Sequence, residues 1–259
     1  MATAGSTTRC GALPLVDHTD VVAQLRDALR PGSLLLSLAH AGDAATTILG
    51  ANKRKTFEAA LRNPNHGTFD AILFSAGGND IVGEQFRFWL RSAASVGSNP
   101  AQAINQDAFD GVMAVVKAGY LDLVDLRTRT LSPNAPIFIH AYDFAVPDGR
   151  GVCTVGPWLW PSLNDRGWMN DKDSPGDRAI GAAIVKKMLS QLDTMMQALE
   201  ANPVNNIVYV RTQGLLKTGN DYTDDWTNEL HPTPAGFEQV AAAFVTALEG
   251  RFPGRAAPP

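Results

Sequence analysis

The chain has 259 residues, a length usual for one large α/β domain, and its 45% apolar against 19% charged residues supply a substantial core. A net charge of −4 with scattered basic residues argues against nucleic acid as a partner, and the densest basic group, Asn-Lys-Arg-Lys at 52–55, reads as a solvated helix start. The only cysteines, Cys10 and Cys153, form no CxxC pair and join no Cys/His cluster at zinc spacing.

The opening Met-Ala-Thr-Ala-Gly-Ser-Thr-Thr-Arg-Cys has no apolar centre and does not read as a signal peptide. Residues 20–30 place Val21, Val22, Leu25 and Leu29 on one helical face. The apolar run at 33–39 is too short to cross a membrane, and 33–38 reads as a buried strand. Further strands are expected at 69–75, 136–141 and 206–211, each bounded by turn or polar residues. Helical periodicity marks 86–96, 108–131, 177–201 and 233–252, the last opening on Thr233-Pro234. Residues 147–176, rich in Gly, Pro, Asp and Trp, read as a long loop of the kind that forms a lid. The expectation is a single domain over 1–259, with 1–12 a leader or the remnant of a nucleophile block and 253–259 a flexible tail. As given, the chain reads as cytoplasmic, with no membrane span.

Strands alternating with helices predict a mainly parallel sheet covered on both faces. Ligands of such sheets bind beyond the carboxyl ends of the strands, so chemistry is expected in the loops 39–46, 76–83, 142–177 and 212–233. Three of these carry candidate residues. In Leu-Phe-Ser-Ala-Gly-Gly-Asn-Asp, Gly77 and Gly78 permit a tight turn, and Asn79 stands at the strand's end. Its amide is the kind of donor that holds a developing oxyanion, although Gly and Asn also make ordinary turns. Gly42 follows the run at 33–38 and offers a backbone N–H, or else only a strand-to-helix turn with Asp43 as cap. His231 precedes a Pro-initiated helix and, of the five histidines, is the best placed as general base.

Gly42, Gly77-x-Asn79-Asp80 and His231-Pro232, in that order, resemble the SGNH (GDSL-like) hydrolase superfamily from about residue 13 onward. The resemblance implies a three-layer α/β/α, flavodoxin-like sheet. It implies an oxyanion hole built from the Gly42 N–H, the Asn79 side chain and the nucleophile's own N–H, with His231 as base. It implies a small-molecule ester substrate and requires neither metal nor organic cofactor. Asp80 then braces the turn rather than binding a metal.

Two departures qualify it. The Gly-Asp-Ser block of the family is not intact. Gly5-Ser6-Thr7 can be laid over it, but only four residues precede Gly5, so the central strand would be missing. A truncated N-terminus, an unusual nucleophile at Ser6 or Thr7, and loss of catalysis are the open explanations, and a missing strand would leave its neighbours with unpaired edges. The second departure is Asn228, three residues before His231, where the family has Asp. Asn228 can orient the ring through its side-chain oxygen but cannot carry charge, and Asp225 and Glu229 are the nearby carboxylates. The expected activity is an esterase or lipase-like acyl hydrolase. The alternative is an inactive or truncated domain that binds a ligand in the same crevice. Trp158, Trp160 and Trp168 either line that crevice or bury the loop against the body.

Overall fold

In the computed structural model, residues 19–256 are described except 41, 153 and 154, and Glu84 is described by its backbone alone. Three short parallel strands, β1 (Ile72–Phe74), β2 (Ile137–His140) and β3 (Ile207–Val210), pair in that order. The register sets Phe74 beside Ile139 and Ile139 beside Tyr209, so the three strands end close together.

The helices are α1 (Val21–Ala28), α2 (Ala45–Ile48), α3 (Ala51–Arg62), α4 (Gly78–Ile81), α5 (Gln106–Thr128), α6 (Trp160–Asp165), α7 (Pro175–Ala201) and α8 (Pro234–Arg251). Their starts follow local chemistry. Asp20, Ser174 and Thr233 each accept a backbone N–H of the first turn, and Pro175 and Pro234 occupy the first helical position.

Side-chain alternation along the strands sorts the layers. Phe74 packs edge-on against Tyr120 of α5, and Tyr209 hydrogen-bonds Asp193 of α7, which puts α5 and α7 on one face. His140 packs against Phe244 of α8, and α8 lies along α1, so these two cover the other face. The result is the expected α/β/α sandwich on a parallel sheet. Among the described residues no helix is long and apolar enough to cross a membrane.

Two expectations fail. Residues 33–38 form no strand: the segment has no partner strand among the described residues, and Leu34 is 98% exposed. Composition predicts a strand, but a strand exists only where a neighbour satisfies its backbone. The segment 86–96 is two 3-10 turns, Glu84–Trp89 and Ala93–Val96, not one helix. The break falls where Leu90 pairs with Ile104 and Arg91 N–H donates to the Ala103 carbonyl at 2.7 Å. Near the end of the described residues, Ala256 is buried, bridges to Leu29 and donates to Glu249.

Candidate active site

A cavity of about 100 Å³ opens at the carboxyl ends of the strands, and Ser75, Asn79, His140, Tyr142 and His231 are among its walls. This is where a parallel sheet is expected to bind its ligand. The structure thus brings together Asn79 and His231, which lie far apart in the chain.

His231 is fixed from its own loop. Its Nδ1 lies 2.9 Å from Oδ1 of Asn228, and the same oxygen accepts the backbone N–H groups of Leu230 and His231, each at 3.0 Å. An oxygen that already accepts two N–H groups can only accept from the ring, so Nδ1 carries the proton and Nε2 is bare. Asn228 therefore does orient the ring. The two carboxylates considered beside it are engaged elsewhere. Asp225 accepts from Lys217 N–H and the Gln239 amide. Glu229, fully buried, accepts the backbone N–H groups of Gly149, Trp158, Leu159 and Trp160. Burial lowers the His231 pKa to about 4, and no negative charge on Asn228 opposes that shift.

The Glu229 latch explains part of the long loop. It holds Gly149 and residues 158–160 beside the histidine turn, and the Trp158 ring meets His231 edge-on at 5.4 Å. Trp168 does the opposite job, buried with its indole N–H on the Arg91 carbonyl, so it ties the loop to the body. Of the two roles expected of the tryptophans, Trp168 shows the burial of the loop, while Trp158, Trp160 and Trp168 are not among the cavity walls, where Trp226 stands instead.

Asn79 sits in the first turn after β1. Gly77, at φ +101, makes the left-handed step that turns the chain there. Gly78 leaves room for Tyr142, whose ring a Cβ would meet at 2.7 Å. One N–H of the Asn79 amide donates to the Asp43 carbonyl at 3.0 Å. Asp80 braces the neighbouring loop by accepting Ala45 N–H at 2.6 Å, Thr46 N–H at 3.1 Å and the Thr46 hydroxyl at 2.7 Å. Gly42, exposed and at φ +78, is one residue from Asp43 but is not among the cavity walls. Ser6 and Thr7 lie outside the described residues.

The sequence sets His140-Ala141-Tyr142-Asp143 at a strand's end, where Tyr142 or Asp143 can reach the site without a catalytic role being assigned, and it gives no role to Ser75, which joins them in a polar cluster. Ser75 Oγ lies 2.7 Å from Nε2 of His140 and 3.3 Å from the Tyr142 hydroxyl. His140 Nδ1 lies 2.9 Å from the Ala141 carbonyl and 3.3 Å from Thr212 Oγ1. Asp143, also a cavity wall, accepts the N–H groups of Gly214 and Leu216 at 2.7 Å and so ties the loop after β2 to the loop after β3. The available signal was the strand pattern: Ser75 and His140 each close an apolar run, and parallel pairing brings such ends side by side.

No protein-family model and no curated protein matches the chain. Among solved structures it is similar to a mutant of Axe2, an acetyl-xylooligosaccharide esterase from Geobacillus stearothermophilus, at 15% identity and a TM-score of 0.45, over 89% of this chain and 81% of that one. It is also similar to a catalytic mutant of Axe2, described as an acetylxylan esterase from the same organism, at 14% identity and a TM-score of 0.40 over the same shares. These are distant likenesses. What the coordinates themselves define is an α/β/α protein with a histidine-bearing cavity at the ends of a parallel sheet.

Proposed function

We propose that the chain is an acyl-ester hydrolase of the SGNH type. The observation that carries this reading is His231, oriented through Nδ1 by Asn228 and sharing one cavity with Asn79 at the strand ends. A bare Nε2 is the state a general base needs before it takes a hydroxyl proton. An amide has two N–H groups; with one of Asn79's committed to Asp43, the other is left to donate to an oxyanion.

In this reading a hydroxyl attacks the ester carbonyl and His231 takes its proton. The oxyanion is held by the Asn79 amide; the Gly42 N–H, which the family pattern adds, lies on a loop outside the cavity walls and would have to move to join it. His231 then protonates the leaving alcohol, and water repeats the cycle on the acyl-enzyme. In the family pattern the attacking hydroxyl belongs to the N-terminal block, which is not intact here and over which Gly5-Ser6-Thr7 can only be laid. The substrate is a small ester, with Trp226 among the apolar walls of the cavity.

The test is hydrolysis of p-nitrophenyl acetate by the folded chain, with His231→Ala and Asn79→Ala as controls. Loss of turnover in both supports the reading. Turnover equal to the parent in both variants, with unchanged thermal transitions, rules it out.

A further inference from the structure

The hydrogen-bond pattern at the strand ends supplies a nucleophile that the motif reading lacks. The Ala141 carbonyl can only accept, so the His140 Nδ1 that faces it at 2.9 Å is protonated. Nε2 of His140 is then bare and must accept the Ser75 hydroxyl proton at 2.7 Å. Thr212 donates its own hydroxyl to the same Ala141 carbonyl, which holds that acceptor in place. The Tyr142 hydroxyl, 3.3 Å away, is left to donate to Ser75 Oγ. A serine whose proton already lies on a ring nitrogen, with the ring oriented from behind by a third group, is the arrangement that activates a hydroxyl. A buried serine bridge in a closed core would show the same bonds, but Ser75, His140 and Tyr142 all border the cavity that holds Asn79 and His231.

We propose that Ser75 is the nucleophile of this cavity and His140 its base. This rests on the acyl-ester chemistry of the proposed function and on the shared cavity, and it replaces both the attacking hydroxyl and the base of that reading, so that turnover survives His231→Ala here and is lost there. Ser75 Oγ forms a bond to the ester carbonyl carbon as its proton passes to His140 Nε2, and the carbonyl electrons move onto oxygen. The oxyanion collapses, the bond to the alcohol oxygen breaks, and that oxygen takes the proton from Nε2. Water then attacks the acyl carbon, gives a proton to Nε2, and the acyl–Oγ bond breaks with return of the proton to Ser75. Burial keeps His140 unprotonated, with a pKa of about 4, so the pair is set for attack at neutral pH.

The test treats the full chain with a fluorophosphonate and locates the modified residue by mass spectrometry, alongside p-nitrophenyl acetate turnover. The expected result is a label on Ser75, its loss in His140→Gln, and turnover reduced roughly a thousandfold in Ser75→Ala. A label on Ser6 or Thr7, with turnover retained in Ser75→Ala, overturns the assignment and leaves the hydrolase reading intact. If the folded chain cleaves no ester, the hydrolase reading falls. In that case a label on Ser75 still supports the activated pair, and an unlabelled Ser75 overturns it. Labelling of the unaltered chain needs no variant, so a substitution that fails to fold leaves the question answerable.

Discussion

At the scale of single residues, Asn228 is the most informative position. Its Oδ1 accepts three N–H groups, while its buried Nδ2 has no partner among the described residues. A carboxylate would keep the three bonds, remove the orphaned donor and place a negative charge beside Nδ1. Asn228→Asp is therefore expected to raise the His231 pKa from about 4; with His231 as the base it increases ester turnover roughly tenfold or more, and with His140 as the base it leaves turnover unchanged. NMR titration of the ring and steady-state kinetics check the two halves separately. Removing the proposed oxyanion donor in Asn79→Ala should lower kcat by about 10²–10³-fold with a smaller change in KM. Gly78 makes a different kind of demand. A methyl there meets the Tyr142 ring at 2.7 Å, so Gly78→Ala should cost about 1–3 kcal/mol in chemical denaturation.

At the scale of elements, the latch of Glu229 on Gly149 and residues 158–160 is the strongest link. Four backbone N–H groups converge on one buried carboxylate, and truncation leaves all of them without an acceptor. Glu229→Ala should destabilise the chain by about 3 kcal/mol or more. It should also raise proteolytic cleavage within 149–160 before cleavage elsewhere, which limited proteolysis reads directly. The segment 33–38 is the contrasting case. It has the apolar content of a strand, yet Leu34 is almost fully exposed and β1 has no partner on its far side among the described residues. Leu34→Ser should change stability by less than about 0.5 kcal/mol, which a urea midpoint detects. A large loss would mean that the leucine is covered in solution.

At the scale of the whole molecule, two histidines tie stability to pH. Burial lowers both His140 and His231 from 6.5 to about 4. The unfolded chain binds these protons near pH 6.5, whereas the folded chain resists them until about pH 4. Stability is therefore at its full value above the unfolded pKa and falls as pH drops from about 6.5 towards 4, by up to two protons' worth of slope. Urea midpoints measured across this window should fall towards acid, and His140→Gln should flatten part of the slope.

Much of this molecule was legible before any coordinates. Apolar runs and helical periods marked β1, β2, β3 and the long helices, because burial on a sheet or against one helix face imposes those periods locally. The Asn79 turn, the helix start at Thr233-Pro234 just after His231 and the orienting role of Asn228 were legible for the same reason: each depends on neighbours within a few residues. Contacts between distant segments were not. Whether 33–38 is a strand depends on a partner to pair with, which no local pattern encodes. That Glu229 serves the loop at 149–160 rather than His231, and that Ser75 meets His140, follow from parallel register and loop return, which bring together groups 65 to 80 positions apart. Sequence alone determined the layers and the turns that carry the candidate groups. Only the tertiary structure decided which of those groups share a cavity, because hydrogen bonding and desolvation act through space and not along the chain.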